Sequence, residues 1–309
     1  MTPQLSVPLP SFSADAPPSR RPLLETAAML DRAGVDRLVV SDHVVFGEDL
    51  DAYGRPESGG TRGGVQPTGP DGHWLEPLTV LSAVAGATSR IRLATGVLLA
   101  ALRRPVVLAK TAATLDVLSE GRLDLGVGVG WQRAEYEAAG LDFAERGRLL
   151  DHTLEVCRVL WSERRASYDS PGLRFEGVHM MPKPVRDGGV PVWVSGTVNP
   201  RVVRRVARFG AGWIPWGDAA RDVVAGIAAM RAALEEAGHD PGGLQVTGAV
   251  PIAHGPDGAV DLARTMDAVP ALAAAGVTDF RLRLPAAPDP AEAEARTRAA
   301  VAAFREATA

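Results

Sequence analysis

The sequence predicts an α/β fold in which eight parallel strands close into a (β/α)8 barrel. Short apolar, β-branched runs recur along the chain, and each is followed by a longer stretch with helical spacing. The strand-like runs number eight, the count a closed barrel of this kind requires. No linker separates two halves, so residues 1–309 read as one domain. A doubly wound open sheet shares this periodicity, which by itself does not tell closed from open; the count and the missing linker favour the barrel.

Leu5–Leu9 is the first strand. Ser19 then caps a helix with Pro22 in its first turn, which runs to Ala33 and stops at Gly34. Arg37–Ser41 is the second strand, and a helix over Leu75–Thr88 precedes the third, Ile91–Leu98. Pro105 opens a helix to Leu118 that closes at Ser119-Glu120-Gly121, and Leu123–Val129 is the fourth strand. Helical stretches at Arg133–Ala139 and Arg146–Glu163 lead to an irregular excursion, Arg164–Gly189. Pro191–Ser195 with the helix Asn199–Phe209, and Trp213–Trp216 with Ala219–Ala237, supply strands five and six. Leu244–Ile252 with Val260–Ala275, and Thr278–Leu284 with Pro290–Thr308, complete the count. Two segments exceed the roughly six residues of an ordinary barrel loop. One is the excursion, and the other is His43–Trp74, whose Gly/Pro-rich part spans Gly54–Gly72. The second follows a strand at the C-terminal mouth and reads as a lid.

Composition narrows the function. Lys+Arg number 33 against 37 Asp+Glu, a net charge of −4, which argues against nucleic acid or an anionic membrane as the main partner. Cys157 is the only cysteine, so an internal disulfide and a cysteine-based zinc cluster are excluded. No signal peptide or run of about 18 apolar residues is visible, and a cytoplasmic protein is expected.

Chemistry in such a barrel belongs where strands end and βα loops begin. The second strand ends in Ser41-Asp42-His43, which reads equally as a polar cap on the next loop or as an imidazole that works as acid or base near neutral pH beside a carboxylate. The third ends in Thr95-Gly96-Val97, where a glycine within a strand marks a bulge or a close approach. The fourth runs into Gly126-Val127-Gly128-Val129-Gly130-Trp131. Trp131 and Arg133 occupy the places where a dinucleotide fingerprint needs its third glycine, so that motif is absent. The three alternate glycines clear one face for a flat ligand or for packing. The fifth strand ends in Ser195-Gly196-Thr197, ahead of Asn199 as helix cap and Pro200 at the first helical position. Amides, hydroxyls and a positive helix end make this turn the strongest anion-site candidate. His152 and Glu155 share a helix face without a second pair to make a di-metal site, and Cys157 reads as a buried thiol. Serine-hydrolase and zincin motifs are absent.

The run PVVLAKTAATLDVLSEGRLDLGVGVGWQRAEYEAAGLDFAERGRLLD, from Pro105 to Asp151, resembles the bacterial luciferase-like flavin and deazaflavin oxidoreductases. The SDH end of strand two, RIRLATGV, PVWVSGT and GAGWIPW fit the same pattern, with coenzyme F420 users the nearest branch. The resemblance implies a TIM-type barrel, a homodimer and an insertion after the fourth helix, which Arg164–Gly189 supplies. On matching positions it implies that Thr95, Gly96 and Val97 prop the cofactor ring from behind, often through a non-proline cis peptide. Gly128, Gly130, Trp131 and Gln132 would line the cofactor. Ser195, Gly196 and Thr197 would hold its phosphate-bearing tail, Asp42 would bind ring or ribityl atoms, and His43 would stand beside the reactive face. Two positions depart from the family pattern: Ala211 stands where an acidic residue is usual, and Gln132 where a hydrophobic one is frequent.

The expected activity is hydride transfer between F420 and a small organic molecule, with His43 moving the accompanying proton. An FMN-dependent monooxygenase fed by a partner flavin reductase is the alternative. A flavin-binding barrel without turnover is a third reading. No metal is expected at the site.

Overall fold

The alternation of short strands and helices does produce a closed barrel. The computed structural model describes residues 2–17, 19–285, 287 and 289–309. Its strands are β1 (Gln4–Pro8), β2 (Arg37–Val40), β3 (Arg92–Thr95), β4 (Leu123–Val127), β5 (Val192–Gly196), β6 (Gly210–Pro215), β7 (Gln245–Ala249) and β8 (Asp279–Arg281). All pair in parallel in chain order, and β1 closes the ring by pairing with β2 and β8, Val7 opposite Leu38 and Leu5 opposite Phe280. Around it stand α1 (Arg21–Ala33), α2 (Pro77–Ala87), α3 (Pro105–Leu118), α4 (Arg133–Ala138), α5 (Arg146–Ser162) and α6 (Pro200–Phe209). The ring continues with α7 (Asp218–Arg221), α8 (Val223–Glu236), α9 (Leu262–Met266), α10 (Val269–Ala275) and α11 (Pro290–Ala307). Among the described residues no helix is long and apolar enough to cross a membrane.

Most helix ends follow the sequence signals, but α1 starts after Arg20, not Ser19, with no side-chain cap; the Ser19 hydroxyl only accepts from the Arg21 amide at 3.1 Å. Gly34 closes α1 at φ 89°, a left-handed conformation that glycine adopts without penalty. The Asn199 side chain accepts from the amides of Arg201 and Val202, with Pro200 in the first turn of α6. Leu, Val and Ala from the strands and inner helix faces form one continuous core, in which Cys157 is buried and its thiol pushed up by that burial.

Several boundaries depart from the expectation. The third strand ends at Thr95, not Leu98; the Gly96–Val97 peptide is cis, and Leu98 re-pairs singly with Val127. The sixth begins at Gly210, where the glycines hid a strand: a Cβ on Gly212 would lie 2.4 Å from the Trp193 ring. The helix read over Ala219–Ala237 breaks at Asp222, whose carboxylate caps α8 by accepting from the Ala225 amide. That over Val260–Ala275 splits into α9 and α10, with Pro270 in the first turn of the second. The excursion holds an antiparallel hairpin, Ala166–Ser170 with Leu173–Val178. Its Tyr168 hydroxyl donates to Glu155 (2.8 Å) and lies 3.1 Å from His152 Nδ1, so this pair anchors the hairpin to α5.

Charge fills part of the barrel's centre. Arg37 donates from Nε to Asp124 (3.0 Å) and from Nη1 to Asp279, with its guanidinium 4.6 Å from the Trp193 ring centroid. Arg92 clamps Asp124 with two bonds of 2.6 Å, and the Ser6 and Thr247 hydroxyls donate to Asp279. Burial lowers the Arg37 pKa, but Asp279 and Asp124 outweigh it and hold the guanidinium above its usual value. Removing one member of such a buried pair typically costs about 3–5 kcal/mol.

At the opposite end, Asp31 of α1 accepts from the amides of Ser89, Arg90 and Ile91, fixing the turn that starts β3. Burial raises the Asp31 carboxyl, but these amides and the Arg90 charge prevail and hold it below the usual carboxylate range. Because the folded value is depressed, the ionised form stabilises the fold above the unfolded value of about 3.9, and that support is lost as pH falls through the folded value. Asp31→Asn is therefore expected to cost about 1–3 kcal/mol in urea unfolding at pH 7, with the difference from wild type shrinking in acid. An equal cost at pH 7 and at about pH 3 would contradict the role of the charge.

Candidate active site

Three glycines on β4 and its extension set the geometry of the barrel mouth. A Cβ on Gly126 would lie 2.0 Å from the Thr95 carbonyl oxygen, one on Gly128 2.7 Å from Val97 Cγ2, and one on Gly130 2.9 Å from Leu99 Cδ2. The register is two for two, so the glycines make room for the chain that continues β3, not directly for a ligand. That chain is held at Leu98, which donates to Gly126 O and accepts from Gly128 N.

Asp42, at the end of β2, ties this layer to the next. Its buried carboxylate accepts from the Leu99 amide (2.8 Å) and from both Nη atoms of Arg103 (2.6 and 3.1 Å), and Arg103 also binds Glu76. Asp42 thus borders the cavity with its carboxylate already braced by the Leu99 amide and Arg103. His43 follows it with 10% of its side chain exposed. Its Nδ1 lies 3.2 Å from Glu135 Oε2, off line for a hydrogen bond, and both atoms are otherwise without a partner. Glu135 Oε1 accepts from the Val44 amide at 2.8 Å. Nδ1 thus faces a carboxylate, which leaves Nε2 as the ring nitrogen that can meet a ligand.

The long loop after β2 folds over this rim. His73–Trp74 pairs with Phe12–Ser13 in a short antiparallel ribbon, and the Phe12 and Trp74 rings stack at 4.0 Å. Trp74 meets the His43 ring edge-on at 4.7 Å, and Trp131 does so at 5.7 Å. Tyr53 lies between Trp131 (5.4 Å) and Trp216 (6.1 Å). From the far side, Trp216 Nε1 donates to the carbonyls of Gly59 (3.0 Å) and Gly60 (3.2 Å). Beneath the loop lies a cavity of about 490 Å3, within the roughly 300–1,000 Å3 of small-molecule sites.

Nine of the twelve residues singled out from the sequence border that cavity: Asp42, His43, Gly96, Val97, Gly128, Gly130, Trp131, Ser195 and Gly196. The other three do not. Thr95 is buried in the barrel interior with its hydroxyl donating to Gly126 O (2.7 Å), because strand alternation turns it inward. Gln132 is buried behind the wall, its Oε1 accepting from the Gly47 amide, and so anchors the loop. Thr197 is exposed outside the cavity, where its carbonyl and hydroxyl accept from the Asn199 amide group. Sequence reasoning missed Glu135, Arg103, Tyr53 and Trp216, and it missed Arg281 and Arg283, which line the cavity from β8 and beyond. Only the last pair had a signal, two charges at alternate positions at the end of a barrel strand. Among the described residues no group of His, Cys, Asp and Glu is disposed to hold a metal.

The profile of the luciferase-like monooxygenase family matches residues 6–308. The chain belongs to that family. An F420-dependent glucose-6-phosphate dehydrogenase of Segniliparus rotundus is 30% identical over 249 residues, 77% of this chain and 66% of the relative. An uncharacterized protein of Mycobacterium tuberculosis is 40% identical over 140 residues, 45% of this chain and 49% of that protein. The chain thus spans about half the length of the first of the curated relatives it matches. Among solved structures, an F420-dependent secondary alcohol dehydrogenase in complex with an F420–acetone adduct superposes with a TM-score of 0.73 at 18% identity, covering 99% of this chain and 100% of that one. The FMN-bound oxygenating constituent of a Pseudomonas putida Baeyer–Villiger monooxygenase gives 0.71 at 15%, with 96% of each chain covered. At those identities the two structures share the fold.

In this luciferase-like protein the long loop after β2 is pinned at Gly59 and Gly60 by Trp216. Trp216→Phe keeps the ring and removes the donor to Gly59 and Gly60. A net hydrogen bond of about 1 kcal/mol implies roughly fivefold more opening, read as faster tryptic cleavage after Arg62. An unchanged cleavage rate would contradict the anchor.

Proposed function

We propose that the protein is an oxidoreductase dependent on the deazaflavin coenzyme F420, exchanging a hydride with a small organic substrate. The observation that carries the reading is the placement of His43, backed by Glu135, on the wall of the same cavity that the Gly96–Val97 and Gly128–Trp131 segments border. Family membership and relatives named for F420 support it.

The residues fit such a group. The cavity has room for a flat ring, its rim is aromatic at Trp74, Trp131 and Tyr53, and Ser195 and Gly196 border it just ahead of the α6 N-terminus. The Arg201 and Val202 amides of that helix already serve the Asn199 cap, so an anionic tail there would use the Ser195 hydroxyl and the preceding turn. A bound deazaflavin supplies a carbon that gives or takes a hydride. The protein does the rest. The main chain at Gly96–Val97 and Gly128 offers a side-chain-poor wall, and the lid excludes water from the cavity. Glu135 beside Nδ1 favours the N–H on that nitrogen, so Nε2 of His43 accepts a proton from a substrate hydroxyl or returns one to a carbonyl oxygen.

Titration of the apoprotein with F420 and with FMN, each followed by its own fluorescence, tests the cofactor. F420 is expected to bind more tightly, and binding of FMN alone would turn the reading to a monooxygenase. His43→Ala is expected to leave F420 affinity nearly unchanged while slowing substrate-dependent bleaching by about 10²–10⁴-fold. Equal loss of affinity and rate would make His43 a binding residue.

A further inference from the structure

Alternate positions on β8 and the extended chain beyond it, Asp279, Arg281 and Arg283, climb one face from the barrel's centre to its mouth. Asp279 is already engaged by Arg37, Ser6 and Thr247. Arg281 comes no nearer to it than 4.0 Å, beyond hydrogen-bond reach. The Arg281 Nε is enclosed and has no hydrogen-bond partner, and its guanidinium reaches across to Gly96, with Nη1 3.4 Å from where a Cβ would stand. Arg283 is exposed to the cavity it lines and forms no ion pair among the described residues. Burial lowers the Arg281 pKa, Asp279 opposes this, and the positive charges of Arg37 and Arg283 reinforce it. Arg281 therefore has only a distant and already engaged carboxylate, Asp279, as counter-charge, and Arg283 beside it in the same concave site has none among the described residues. Such an arrangement is costly unless an anion completes it.

The chemistry around the pair is apolar and flat. Tyr53 feels the Arg283 charge and stands between the Trp131 and Trp216 rings. The turn at Ser195–Gly196, read above as the cofactor's tail site, belongs to β5 and not to this strand. We propose that Arg281 and Arg283 form an oxyanion subsite, and that the substrate is an organic anion with a flat apolar body and a carboxylate or phosphate held by the pair. The inference rests on the oxidoreductase reading, which puts a substrate in this cavity.

Calorimetric titration of the protein without cofactor, using benzoate, phenyl phosphate and benzyl alcohol, tests it. Wild type is expected to bind at least one of the two anions and not the alcohol, and the tighter anion tells carboxylate from phosphate. Arg281→Met and Arg283→Ala are each expected to weaken that binding about ten- to a hundredfold, the range for a charge-assisted hydrogen bond, with F420 affinity unchanged. Arg283 is exposed, so its variant keeps the test open if Arg281→Met fails to fold. No anion binding, binding insensitive to both substitutions, or loss of F420 affinity in their place would overturn the subsite. Failure of wild type to bind F420 while the arginine-dependent anion binding persists would instead sink the oxidoreductase reading and leave the subsite standing.

Discussion

Three missing side chains on β4 shape the mouth of the barrel. Because Gly126, Gly128 and Gly130 carry no Cβ, the chain from Thr95 to Leu99 lies directly against β4. That close approach brings the Leu99 amide to Asp42, and Asp42 in turn gathers Arg103 and Glu76. His43 is the next residue after Asp42, so its imidazole inherits a position fixed by packing two strands away. Glu135, four residues into the segment that Trp131 opens, completes the arrangement from the β4 side. A bulky residue at any of the three glycines would move the β3 extension and, with it, the histidine; overpacking of this kind commonly costs about 1–3 kcal/mol.

Charge is distributed by the same strands with two different outcomes. At the barrel's centre Arg37 and Arg92 are paired: they share Asp124, and Arg37 also holds Asp279. Two residues further along β8 the balance ends. Arg281 finds no free carboxylate, and Arg283 adds a second positive charge at the rim. Complete pairing stabilises a closed core, and incomplete pairing in a cavity leaves interaction strength for a ligand. The lid rests on aromatic contacts and on main-chain acceptors for Trp216, with the exposed Val65 lining the cavity, a composition suited to opening.

Much of the barrel was legible because its signals are local. Strand order, the Gly34 stop and the Asn199 cap need only nearby residues, and the SDH end of strand two stood out by position. Direction was harder. Thr95 and Gln132 sit beside cavity residues in sequence, but strand alternation and the turn after Gly130 point them elsewhere. Asp42 stood out by its position at a strand end, but nothing in the sequence announced Arg103, 61 residues on, as its partner. Glu135 read as an ordinary residue of a short helix, since its pairing with His43 spans 92 positions. The glycine run was read as clearing a face, and what occupies that face is the neighbouring chain.

Under the proposed function, the slot between the β3 extension, the end of β4 and His43 is where a flat redox ring binds. A crystal structure of the protein loaded with F420 tests it most directly. The ring is expected to lie against Gly96–Val97, with the His43 imidazole beside its reacting carbon and Glu135 still at Nδ1. A ring bound outside this cavity, or an imidazole turned away from it, would contradict the account.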